Sequence, residues 1–230
     1  MTTCRVCGTA NDPLALTCSH CKGYLQAKVD ALNLFETIWG IVESPGATLR
    51  RIVLARHKNY VLLLSALFGI ALVYGIVWFR HAGNTIADPV FLGASGLVLG
   101  PPVGLVMVGL FAVAMTRVSR MLGGKASLRN SHAVAAFATI PIVCSLVLVF
   151  PVELAVFGFD MFRSNPHPMV INPVAYTTLM GLDAIAIAWS WWLVVEGAIV
   201  ANSFTRLRAA GLAVTLLILC AAALAPLVLL

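Results

Sequence analysis

Four of the six cysteines of this chain fall in two close pairs, Cys4-Arg5-Val6-Cys7 and Cys18-Ser19-His20-Cys21. Each pair is followed by a glycine, Gly8 or Gly23. A Cys-x-x-Cys turn puts two thiolates on one side of a tight knuckle, and two such knuckles complete a tetrahedral shell for a soft divalent metal. Glycine lets the turn close without a Cβ clash. The spacing therefore predicts a short zinc ribbon over residues 1–27, with Cys4, Cys7, Cys18 and Cys21 as ligands and zinc favoured over iron. Roughly 25 residues cannot bury a useful core, so the metal would supply the folding energy. The rival chemistries are two disulfides, which a reducing cytoplasm disfavours, and two redox pairs, which need a βαβ context missing here. His20 is expected outside the metal shell or exposed. Cys144 and Cys220 sit in apolar runs, where a lone cysteine acts as a small hydrophobe.

Other reactive groups lie in apolar surroundings. Asp183 and Glu196 interrupt the run 174–201. A carboxylate inside a membrane helix costs a few kcal/mol and is expected to face the bundle interior. Asp183 then marks either a polar site or a hydrogen-bonded packing contact near Thr177, Thr178 or another helix. Glu196 lies nearer the helix end, within reach of water or Arg206, and reads as a structural ion pair. At 100° per residue the two stand about 220° apart around the helix, so they do not form one pair on a single face. Gly93-Ala94-Ser95-Gly96 has the pattern of an intramembrane serine protease, but nucleophilic catalysis needs a nearby base, and the histidines fall at span ends or in loops. His81, Asp88, Glu153, Asp160 and His167, read as outer-loop residues, lack a metal-ligand spacing.

These groups need scaffolding, and the composition says of what kind. Of 230 residues 60% are apolar and 10% charged, against about 25% charged in a soluble domain. That leaves too little polar surface for a water-facing globule and points to an all-α integral membrane protein. A spanning helix needs about 20 mostly apolar residues. Five stretches qualify: 60–79, 97–116 with a weaker lead-in from Phe91, 133–150 interrupted by Pro141, 174–201 and 209–230. No alternating strand pattern competes with them. The amphipathic stretch 31–58 precedes this five-helix bundle of residues 60–230.

Lys and Arg mark the cytoplasmic side of membrane proteins. With the N-terminus inside, all fifteen basic residues except Arg80 and Arg163 are cytoplasmic, and the C-terminus lies outside. Arg50, Arg51, Arg56, Lys58, Arg117, Arg120, Lys125 and Arg129 form a membrane-surface patch. The expected location is a cytoplasmic (inner) membrane, with no cleaved leader. Before the first span, Phe35, Ile38, Trp39 and Val42 share one helical face, and Ser44-Pro45 starts a second helix carrying Leu49, Ile52 and Val53. These faces suit either the headgroup plane of an anionic leaflet or the underside of the bundle. Gly96, Gly100 and Gly104 repeat every fourth residue, as do Ser65/Gly69 and Ala71/Gly75, a pattern that lets helices approach closely. Beside Pro101-Pro102 the same glycines suit a broken helix lining a transport cavity.

The order of features resembles the bacterial branch of the Yip family, the Ypt/Rab-interacting membrane proteins. The likeness rests on the amphipathic lead-in with Ser44-Pro45 and on the basic loop Gly123-Gly124-Lys125-Ala126-Ser127-Leu128-Arg129. Ala138-Thr139-Ile140-Pro141 in the third span and Trp189, Trp191 and Trp192 in the fourth complete it. It covers roughly residues 31–230 and implies a five-span topology more firmly than a function. The Asp-Leu-Tyr-Gly-Pro segment of eukaryotic members is absent, so small-GTPase binding is not carried over. The expected function is non-enzymatic: a membrane scaffold that recruits a protein partner at its cytoplasmic face, with the bilayer as its other partner, no nucleic acid, and self-association open. The alternative is a carrier or channel for a small solute, ion or lipid that uses Asp183 and the Gly/Pro-rich second span.

Overall fold

The computed structural model describes residues 2–229 apart from 5, 13–14, 26–30 and 87, with side chains only as far as Ala223 in the last helix. Arg5, Lys28 and the side chain of Pro226 thus lie outside the described residues. The N-terminal module holds a minimal antiparallel sheet, β1 (Thr2–Thr3) and β2 (Ala10–Asn11), with Thr2 opposite Asn11. Helices α1 (Leu34–Glu43) and α2 (Pro45–Leu54) follow. Asn33 caps α1 by accepting from the Glu36 amide, and Pro45 opens α2, where its missing N–H costs nothing.

Among the described residues, five segments are long and apolar enough to cross a membrane. The first is α3 (Val61–Phe79) and the second α4 (Pro89–Met121). The third comprises α5 (Leu128–Ala138), α6 (Ile140–Leu148) and α7 (Phe150–Phe157) with a 3₁₀ turn to Phe162. A short α8 (Pro168–Ile171) precedes α9 (Pro173–Asn202), the fourth span, and α10 (Arg206–Leu229) is the fifth. All five anticipated spans are present.

Two of them differ in detail from the sequence reading. Pro101 and Pro102 lie inside α4 without interrupting it, so the broken-helix alternative for the second span is not what forms. The third span is longer than 133–150 and is interrupted twice. Pro141 and Pro151 each stand in the first turn of a new segment, because a ring nitrogen cannot bond the carbonyl four residues back.

The glycine repeat is a packing device. A Cβ on Gly104 would stand 2.0 Å from the Ser65 carbonyl oxygen, and one on Gly69 2.0 Å from that of Gly100. Backbone meets backbone there, and only hydrogen fits between α3 and α4. Gly96 accommodates the ring of Tyr74, whose hydroxyl donates to the Gly93 carbonyl at 2.6 Å. The other repeat behaves differently: nothing lies within 4 Å of a Cβ on Gly75.

The two amphipathic helices divide the alternatives set out for them. Leu49 and Ile52 of α2 are fully buried against α9 and α5, on the underside of the bundle. On α1, Ile41 is buried and Ile38 packs inward, whereas Phe35 and Trp39 are 86% and 70% exposed and Val42 also faces out. Arg51 joins the two helices through an ion pair to Glu36 at 2.6 Å, and this bond holds the Glu36 carboxyl below its usual range.

The basic loop has a tertiary explanation. Gly123 adopts φ +80°, and a Cβ on Gly124 would lie 2.4 Å from Asn202 Oδ1. That oxygen accepts from the Ala126 amide at 3.0 Å, and Asn202 Nδ2 donates to the Ala198 carbonyl and to Ser119 Oγ. Ser127 caps α5, and Arg129 donates to the Arg56 carbonyl. The loop therefore locks the ends of α2, α4, α5 and α9 together. The eight patch residues gather at this end. Arg51, Arg56, Arg117, Arg120, Lys125 and Arg129 are exposed there, while Arg50 and Lys58 are half-buried. Arg163 lies at the opposite end, paired with Asp160 at 3.0 Å.

Candidate metal centre and intramembrane cavity

The N-terminal module brings all four ribbon cysteines together. Their sulfurs lie within 4.8 Å of one another, with Cys4 and Cys21 3.6 Å apart and Cys7 and Cys18 3.5 Å apart. At these distances the thiols are free rather than disulfide-bonded. A tetrahedral Zn–S shell of 2.3 Å bonds has S···S edges of about 3.8 Å, so the cluster needs only slight adjustment to hold the ion.

The knuckles form by the same bonds in both halves. The Gly8 amide donates to the Cys4 carbonyl at 2.9 Å and the Lys22 amide to that of Cys18 at 3.1 Å. Gly8 takes φ +72° as its role requires, but in the second knuckle Lys22, at φ +59°, holds the left-handed position that the sequence reading gave to Gly23. Buried Asn11 braces this half: its Oδ1 accepts from the Ser19 amide at 2.8 Å and its Nδ2 points to Cys18 Sγ at 3.5 Å. Thr9, through its hydroxyl and its amide, holds the Cys7 thiol down at about 6. The Cys21 and His20 amides also lower Cys18. The Gly23 amide favours the Cys21 thiolate, but the neighbouring Cys7 and Cys4 sulfurs push it up to about 12. Four sulfurs crowd one point, and a cation there would favour the thiolate form of each. His20 is exposed and outside the cluster.

Inside the bundle, Asp183 accepts from Ser145 Oγ across the α6–α9 contact. It lines a cavity of about 580 Å³ between α3, α6, α7 and α9. Glu153 lines the same cavity and interacts with Asp183. Glu153 is a correction: it is not an outer-loop residue but sits in α7, 2% exposed, with Oε1 lacking any hydrogen-bond partner. Its position two residues after Pro151 in the apolar run 150–162 was the available signal that the third span continues. The break at Pro151 starts the segment that turns Glu153 toward Asp183. Glu196 takes no part in this cavity, and among the described residues no ion pair joins it to Arg206. Ser95 donates to the Leu92 carbonyl of its own helix at 2.7 Å. The former outer-loop set forms no metal-ligand group among the described residues.

Residues 39–227 match the family model described as the Yip1 domain. The chain belongs to the Yip1 family. The Yip1 domain takes in the second half of α1 and everything from α2 almost to the end of α10, leaving the cysteine cluster outside it. No curated protein and no solved structure matches the chain. Family and fold together make this a multi-pass membrane protein of five apolar spans in contact with the bilayer.

Proposed function

We propose that this Yip1-family protein is a non-enzymatic scaffold that recruits a protein partner at the cytoplasmic face of a bacterial inner membrane. It is organised as a zinc ribbon (1–27), amphipathic helices (31–58) and a five-helix bundle (60–230). The observation that carries the reading is the gathering of its features at one end of the bundle. The outward Phe35–Trp39–Val42 face and the basic patch lie where α3 begins and α4 and α9 end, and the cysteine module precedes them in the chain. Positive charge at that end supports a cytoplasmic N-terminus and an outer C-terminus. The exposed apolar face of α1 suits the headgroup plane. Cys4, Cys7, Cys18 and Cys21 would hold a structural zinc, which cross-links the two knuckles and gives a small, rigid docking surface. Ser95, the serine of the protease-like pattern, bonds to the Leu92 carbonyl of its own helix rather than to a base, which supports a role without serine catalysis at this position.

Co-purification in mild detergent tests the proposal. The Cys4→Ser/Cys18→Ser variant should lose its partner while the bundle stays folded; unchanged co-purification would overturn the reading. Reporter fusions at Lys125 and Arg206 should report the same side of the membrane.

The carrier or channel alternative is favoured by the cavity at Asp183, but α4, unbroken and closed against α3, gives that cavity no lining. Proteoliposome flux that is insensitive to Asp183→Asn would eliminate it.

A further inference from the structure

The intramembrane cavity has three properties that together specify a ligand. Its floor is polar: Ser145, Glu153 and Asp183 converge from α6, α7 and α9. Glu153 is almost completely buried there, yet one carboxyl oxygen has no donor. A buried acceptor left unpaired costs free energy, and a donor brought by a ligand would satisfy it. The walls are aromatic and aliphatic. Tyr74 stacks on Phe150 with ring centroids 4.6 Å apart, and Trp78 and Phe79 stand beside them. Ring faces near two carboxyl groups suit a cation better than a neutral donor. Finally, the cavity is open along one side. Gly75 and Phe79 on α3 and Ala184 and Ile187 on α9 line it and are exposed, so the opening faces the region that the bilayer occupies. Nothing lies within 4 Å of a Cβ on Gly75.

We propose that this groove binds a lipophilic amine reaching it sideways from the bilayer. The ammonium is held between Glu153 and Asp183, and its apolar body lies between α3 and α9. A volume of about 580 Å³ falls in the range of small-molecule sites and far exceeds what a bare metal ion fills. A purely apolar lipid tail leaves Glu153 unpaired, and a hydrophilic amine gains nothing from the walls. The site is separate from the ribbon and the basic end, so it stands or falls independently of the recruiting role.

The test is photo-crosslinking of full-length protein in phosphatidylcholine nanodiscs with a diazirine-bearing dodecylamine, competed by unlabelled dodecylamine or dodecanol. Saturable labelling should map to 75–79 and 180–187, and dodecanol should compete at least tenfold more weakly than dodecylamine. Glu153→Gln and Asp183→Asn keep side-chain shape and should each weaken labelling at least tenfold. Should either fail to fold, Gly75→Leu fills the open side of the groove without touching the carboxyl groups, and it should block labelling on its own. Equal competition by dodecanol shows an apolar lipid groove only and overturns the proposal. So does labelling spread over all lipid-facing helices, or labelling unchanged in folded Glu153→Gln and Asp183→Asn.

Discussion

Adding a single methyl group at Gly104 should split the close backbone contact between α3 and α4. The new Cβ would stand 2.0 Å from the Ser65 carbonyl oxygen and 2.6 Å from the Gly69 Cα. Ordinary contact begins at 3.4 Å, and backbone atoms cannot rotate aside as a flexible side chain can. The α3 and α4 axes must therefore separate by about 1.4 Å locally. A gap of 0.5–1 Å already forfeits a quarter to a half of each dispersion contact along a seam. Overpacking usually costs 1–3 kcal/mol. With no soft neighbour to yield, Gly104→Ala belongs at the upper end, about 3 kcal/mol. Gly109→Ala on the same helix is the matched control, because its Cβ meets nothing within 4 Å and alanine favours helix by up to ~1 kcal/mol. Both variants would be unfolded reversibly in one mild detergent and followed by circular dichroism. Stabilities within about 0.5 kcal/mol of each other would refute the close-packing account.

Other expectations follow from the remaining elements. Purified protein should retain one zinc per chain by elemental analysis, and chelation should open residues 1–27 to protease while the helical signal of the bundle is kept; full protease resistance without metal would contradict the cysteine cluster's role. Asn202→Leu strips the buried Ala126 amide of its acceptor and should cost about 1–3 kcal/mol in the same unfolding assay, whereas an unchanged midpoint would mean that the basic loop is held by other bonds. Lys58 donates to the Val53 carbonyl at 2.7 Å, and burial, aided by the Arg129 charge, pulls its ammonium down to about 8 from 10.5. The unfolded chain therefore keeps this proton over a range where the folded chain has released it, and stability should rise as pH climbs from about 8 toward 10.5. Discounted for water at a half-exposed group, the gain is about 1 kcal/mol, and it should disappear in Lys58→Met.

Much of this architecture was fixed by one-dimensional chemistry. Five apolar runs of bilayer length have to be helices in lipid, because no water is present to satisfy their backbone groups. The basic residues at their ends set a common side, and two Cys-x-x-Cys pairs specify a four-sulfur cluster whatever surrounds them. Local rules also placed the Pro45 helix start and the Pro141 break. What they could not supply was which face meets which neighbour. Hydropathy cannot tell a glycine that closes α3 onto α4 from Gly75, which borders open space, since both read as small residues at the same interval. Nor does the position of Lys22 announce that it, rather than Gly23, takes the left-handed turn. The Phe35–Trp39–Val42 stripe was visible, but its pointing outward while Ile41 points in depends on where α2 packs. Glu153 shows the division most clearly. Its sequence neighbourhood allowed a loop, and only the packing of α7 against α9 brings it to Asp183, because a contact between residues thirty positions apart belongs to the assembled helices and to neither one alone.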